Sequence, residues 1–182
     1  GIWSGMRLDF VPLAAAALLT TGRENDAQQA VRMLKEVSEA DPELALAFYN
    51  LGVAYEILGS KLDARKSYLR ATDIDSGMGD AWLNMGNMQF REGSLTRALQ
   101  NYKTGLRGDE ENMNLWVAVI ATLRQLGQLD RAIDEARAAL LVNARSLNVY
   151  NNLGLNLDTV TDLQGRPHYL VDPNYKPLSE VS

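Results

Sequence analysis

The chain has 182 residues, 46% of them apolar, a formal charge of -5 and no cysteine. That content suffices for one packed domain, excludes disulfides and cysteine–zinc sites, and argues against a general nucleic-acid binder. The single histidine, His168, removes most imidazole catalysis and metal chemistry, so no cofactor is expected, and no stretch approaches the ~18 apolar residues of a membrane span.

Residues 1–10 form an N-terminal segment. From Arg7 the chain reads RLDFVPLAAAALL, which has two readings. One is a poor signal peptide, its apolar region spoiled by Asp9. The other, which the register below favours, is an Ala-rich first helix. The compartment follows that choice: cytoplasmic for the helix, bacterial periplasmic for a degenerate signal. A chain that opens on Gly is also compatible with a fragment or a processed product.

The segment FYNLGVAYEILG, Phe48 to Gly59, returns 34 residues later as WLNMGNMQFREG, Trp82 to Gly93, and in a worn copy from Trp116 to Gly127. Gly59, Gly93 and Gly127 share that spacing, as do Ala64, Ala98 and Ala132, and Phe48, Trp82 and Trp116. Three independent columns on one period define a repeat array.

Taken in order, residues 11–44 are a degenerate unit whose second helix keeps Ala30, Leu34 and Val37. Asp41-Pro42-Glu43 then reads as a helix start, with Asp41 as cap and Pro42 in the first turn. Residues 45–78 are the clearest unit: Phe48, Leu51, Gly52 and Tyr55 share one helical face. Gly59 ends that helix, and Ser60 to Thr72 carries Ala64, Tyr68 and Ala71 inward. Small Gly52 and Ala64 let two helices approach, with Phe48 and Tyr68 filling the space beside them.

Residues 79–112 repeat this with Trp82, Met85, Gly86, Phe90, Gly93, Ala98 and Tyr102. In residues 113–146 Ile120 replaces the glycine, which predicts a wider helix pair or a shifted crossing. Asp109 and Ser146 are plausible caps. From Leu147 a fifth unit starts with Tyr150, Leu153 and Gly154 but meets Gly165-Arg166-Pro167, where an interior proline costs about 3 kcal/mol. Residues 147–163 are therefore expected to be one closing helix, followed by a proline-spaced extended tail over 164–182.

These columns resemble the tetratricopeptide repeat family, strongly over residues 45–146, weakly over 11–44 and as a half repeat over 147–163. Departures are Ile120, Ala136 where an aromatic is usual, and Ser76, Glu110 and Ala144 where family members often carry Pro. The YNLG and NNLG phrasing is similar to bacterial members, including those of envelope, pilus or motility machinery. The resemblance implies an all-α fold, a right-handed superhelix of helix pairs whose first helices line a concave groove for peptides or protein segments.

If so, the groove positions are Tyr49, Asn50, Val53 and Glu56 in one unit and Leu83, Asn84, Asn87 and Arg91 in the next. Asn114, Val117, Ala118, Ala121 and Arg124 follow, then Asn151, Asn152 and Leu155 on the closing helix. The recurrence of Asn50, Asn84 and Asn152 suggests a carboxamide ladder that pairs with the backbone of an extended peptide. Ala118 interrupts it, and the bland alternative is that these asparagines bond their own neighbours.

The basic clamp with which some family members grip a peptide carboxylate is missing, since Tyr49, Val53, Asn84, Asn114 and Ala118 hold its positions. Trp82 and Trp116 fall in the packing column and are expected in the core. Tyr169 and Tyr175 of the tail are candidate docking aromatics. No phosphate loop, nucleophile elbow or metal cluster appears, so an enzyme is not expected.

The expected function is a protein-interaction scaffold that binds an extended partner segment. The alternatives are self-association through the stack ends, where the Ala-rich residues 11–21 would leave an apolar face, and a regulatory arm of a larger enzyme.

Overall fold

The computed structural model describes residues 10–143 and Val149. The expected closing helix with Asn151 and Asn152, the Ser146 cap and the tail with His168, Tyr169 and Tyr175 lie outside the described residues. Among the described residues there are eight α-helices and no strand: α1 Val11–Leu19, α2 Glu24–Ala40, α3 Ala45–Ile57, α4 Lys61–Ile74, α5 Gly79–Arg91, α6 Leu95–Gly108, α7 Met113–Gln125 and α8 Leu129–Val142. They belong to two compact units, Gly1–Met85 and Gly86–Ser182, which divide within α5.

In the first unit α1 packs on α2, α2 on α3 and α3 on α4, with α1 also reaching α3. The Ala-rich stretch is thus a packed helix: Val11, Ala15 and Leu19 of α1 join Ala30, Leu34 and Val37 of α2 and Leu51 of α3 in one core. In the second unit α7 packs between α6 and α8.

Within the pairs, the approach depends on a missing side chain. A β-carbon at Gly52 would lie 2.4 Å from Cε1 of Tyr68, and one at Gly86 would lie 2.2 Å from Cε1 of Tyr102. Each tyrosine ring therefore lies across the bare backbone of its partner helix and is sealed from solvent. The last pair reverses the arrangement. Ile120 stands in the glycine column and Ala136 in the tyrosine column, and both are fully buried. The bulk has moved from the second helix to the first, an exchange that the expectation of a wider pair left out.

The first helix of each pair stops at a glycine for a backbone reason. Gly59, Gly93 and Gly127 have φ of 73, 77 and 72°, where only glycine is unstrained. The residue after each bonds the carbonyl five positions back, as in Ser60 N to Tyr55 O at 2.8 Å, which closes a Schellman turn.

The capping expectations need correction. Asp41 terminates α2 instead of starting α3: its Oδ1 accepts the Glu43 amide at 3.1 Å, and α3 begins only at Ala45. Asp109 likewise closes α6, while the cap of α7 is Asn112, whose Oδ1 accepts the Asn114 amide at 3.2 Å. Short polar side chains favour turns at either end of a helix, and at this column they hold the chain extended after the second helix.

One carbonyl in these turns recurs with two different partners. Trp82 Nε1 donates to Ser76 O and Trp116 Nε1 to Glu110 O. Phe48, in the same column, has no donor. There Arg70 donates to Pro42 O at 2.9 Å and to Glu43 at 2.8 Å, with its guanidinium 5.6 Å from the centre of the Phe48 ring.

Gly86→Ala is expected to destabilise the protein by about 1–3 kcal/mol through overpacking. The double variant Gly86→Ile/Tyr102→Ala, which copies Ile120 and Ala136, should recover much of that loss in urea unfolding. A double variant no better than Gly86→Ala would mean that the two positions do not trade volume.

Candidate functional site

Leu46, Tyr49, Val53 and Glu56 of α3 follow one another at three or four residues and so share one face of the helix. Leu46 is exposed, and Tyr49, Val53 and Glu56 are half-buried. Leu83 and Asn84 of α5, both half-buried, come alongside, because the Asn84 side chain donates to the Tyr68 hydroxyl.

This contact centres on a compact polar group. The Tyr68 hydroxyl donates to Glu56 Oε2 at 2.7 Å and accepts from Asn84 Nδ2 at 3.2 Å. Its ring meets that of Tyr49 at 5.9 Å and 46°, a tilted aromatic pair. Burial pushes the Tyr68 hydroxyl far above the usual range, and the Glu56 carboxylate adds to the shift. Tyr49 is also raised, by burial and then by the negative charges of Asp80 and Glu56, with Asn84 acting in the opposite sense.

The asparagines are engaged inside the protein. Asn50 is only 4% exposed and donates through Nδ2 to Pro12 O at 2.9 Å, tying α3 to α1. Asn84 donates to Tyr68. At the third ladder position Thr122 donates to the Ala118 carbonyl. The bonding to protein neighbours is therefore what the described asparagines do.

In the second unit Asn87 accepts the Tyr102 hydroxyl at 2.8 Å. The exposed Arg91 lies close enough to that hydroxyl to pull its pKa down, yet burial wins and leaves it at about 12. Arg124 is exposed in the last turn of α7. Trp116 is buried and Trp82 half-buried; Trp116 also lines an open depression of about 500 Å³ with the Lys103–Glu135 ion pair and Arg107.

Sequence reasoning missed Leu46, one turn before Tyr49, and Asp80, one turn before Leu83 and Asn84. Extending the three-and-four spacing backwards by one turn would have found both. It also placed Tyr68 in the core without its hydroxyl partners.

Among the described residues no three His, Cys, Asp or Glu side chains are grouped to hold a metal, and no helix is long and apolar enough to cross a membrane. The arrangement is that of a helix-pair repeat protein with a partly apolar face on the first helix of the pair. A family model described as Tetratricopeptide repeat matches residues 16–79. Over those residues the chain is similar to the tetratricopeptide repeat family.

Among curated relatives it is 26% identical over 132 residues to Tetratricopeptide repeat protein 37 of Xenopus laevis, a match covering 71% of this chain and 8% of that protein. It is 26% identical over 143 residues to Protein FlbA of Caulobacter vibrioides, covering 77% of this chain and 24% of that one. The chain thus spans a quarter or less of either relative.

Among solved structures, MamA superposes with a TM-score of 0.63 at 20% identity, over 83% of this chain and 79% of MamA. YrrB, described as a tetratricopeptide protein with an unusual peptide-binding site, superposes with a TM-score of 0.61 at 18% identity, over 81% of this chain and 72% of YrrB. These likenesses show a shared fold.

Two substitutions probe the polar contacts. Asn50→Ala leaves the buried Pro12 carbonyl without its donor and is expected to cost about 1–3 kcal/mol in chemical unfolding. Tyr102, ordinarily near 10 and raised here to about 12, makes stability pH-dependent. The unfolded chain loses its phenolic proton first, so stability present below about pH 10 falls as pH rises toward 12. Tyr68 shifts the same way. In Tyr102→Phe the alkaline loss measured by urea unfolding should be shallower than in the parent; an unchanged slope would contradict the assignment.

Proposed function

We propose that this chain is a protein-interaction scaffold, without catalytic activity of its own, that docks an extended partner segment against its first-of-pair helices. The observation that carries the reading is the α3–α5 face of the first unit. It sets exposed Leu46 and half-buried Tyr49, Val53 and Leu83 beside the hydroxyl and carboxylate group of Tyr49, Tyr68 and Glu56. Apolar pockets for side chains next to oriented polar groups suit an extended segment. YrrB, a relative in fold, is described as peptide-binding, which supports the reading.

Asn87, Arg91 and Arg124 are the corresponding candidates in the second unit, and Asn151 and Asn152 beyond the described residues. Because Asn50 and Asn84 already bond inside the protein, affinity is assigned to Leu46, Tyr49, Val53 and Leu83 more than to a backbone ladder.

A second reading is self-association through α1. All nine residues of that helix are apolar, and its outer side leaves Leu13 57% and the adjoining Phe10 54% exposed. Such a helix ordinarily has a partner on every side. Sedimentation of the parent against Leu13→Ser tests it.

Linear peptides selected from a random displayed library on the folded chain supply the main test. Leu46→Ser/Val53→Ser is expected to weaken their binding roughly tenfold or more, with circular dichroism unchanged. Leu62→Ser, on the exposed side of α4, should leave binding intact. Equal binding by the parent and Leu46→Ser/Val53→Ser would overturn the docking face.

A further inference from the structure

From Phe10 to Thr21 the chain carries no charged residue. Phe10 and Thr20, which flank α1, both keep right-handed helical backbone, with φ of -87 and -63°. The periodicity of α1 therefore extends over both. Val11, Pro12, Ala15 and Leu19 form its buried side. Phe10, Leu13, Ala17 and Thr20 are exposed, and their steps of three or four residues place them on one stripe along the opposite side.

That stripe is ordered by size. Phe10 and Leu13, 54 and 57% exposed, are large, whereas Ala17 and Thr20 are small. The Thr20 hydroxyl donates to Ala17 O at 2.7 Å, so the polar group of the stripe is already bonded. The positions are also symmetric about the level of Ala15: Phe10 mirrors Thr20, and Leu13 mirrors Ala17. Turned end for end, the stripe offers a small residue wherever the original has a large one.

From this self-complementarity we infer that the occupant of the α1 face is the same face of a second copy. The two helices pack antiparallel about a two-fold axis at the level of Ala15, with Leu13 of each copy seated on Ala17 of the other. This rests on the self-association reading given above and specifies its geometry. A parallel pairing would set Phe10 on Phe10 and Ala17 on Ala17, overfilled at one end and empty at the other. Charge fits a like partner as well, because two uncharged stripes meet without repulsion and offer a charged segment nothing. A two-fold pairing closes on itself, so assembly stops at a dimer. From Phe10 to Thr20 the helix rises only about 15 Å, too short a contact for the roughly 1,000 Å² of a lasting interface. The dimer is therefore reversible and forms as concentration rises.

Sedimentation equilibrium of the full chain over a wide concentration range reads the dissociation constant. The parent is expected to pass from monomer to dimer and no further. Leu13→Ser should weaken the dimer roughly tenfold or more. Ala17→Leu adds apolar surface, yet it should also weaken the dimer, because it sets leucine against leucine. The exchange Leu13→Ala/Ala17→Leu should return the constant to within about threefold of the parent's. Both positions are exposed, so circular dichroism of each variant should match the parent.

Stronger association in Ala17→Leu, an exchange variant as weak as Leu13→Ser, or assemblies larger than two copies overturn the antiparallel pairing and leave self-association through α1 standing. A parent that stays monomeric, or Leu13→Ser that associates as well as the parent, removes the α1 reading and this inference together.

Discussion

The structure depends on how closely a tyrosine ring can approach a helix that lacks a side chain. With Gly52 and Gly86 bare, Tyr68 and Tyr102 lie against the neighbouring backbone, closer than any β-carbon would permit. That contact sets the spacing of each pair and brings each hydroxyl to polar side chains of the neighbouring helices. Tyr68 there reaches Glu56 and Asn84, and Tyr102 reaches Asn87. Packing thus chooses which polar groups meet. Where the ring is lost, at Ala136, so is its hydroxyl, and the nearby Thr122 bonds a carbonyl of its own helix. One change of volume alters both the core and the polar surface.

A second constraint is that turn carbonyls need donors even when the sequence changes around them. An indole supplies the donor in two of the repeats. In the pair with Phe48, the guanidinium of Arg70 supplies it and also covers the ring. Arg70 is 41% exposed along its side chain and its partner Glu43 is 74% exposed, so the ion pair contributes little in water. The bond to Pro42 O and the contact with Phe48 explain its place better. This arginine has no counterpart in the other repeats, where Thr104 and Ala138 occupy its column, because the tryptophans make it redundant.

Much of this was legible in the amino-acid order. The columns of Gly59, Ala64 and Tyr68 specify helix ends and contacts because size and left-handed backbone are properties of single residues. What resisted reading were properties of pairs. Ile120 and Ala136 each look like a departure; together they are one exchange across a helix interface. Asp41 and Asp109 bear the right side chain for either end of a helix, and only the neighbouring backbone decides which end they serve. Asn50 illustrates the same difficulty at the candidate site. Its position on the helix gives the direction of its side chain, but not that α1 brings the Pro12 carbonyl within 2.9 Å of it.

That bond bears on how such a face can recognise a partner. A carboxamide ladder reads backbone and is therefore indifferent to sequence, whereas a face whose amides are already bonded inside must discriminate through side chains. In the first unit the side chains so placed are Leu46, Val53 and Leu83 beside the Tyr49 ring. Turning the donors inward therefore ties α3 to α1 and α5 to α4.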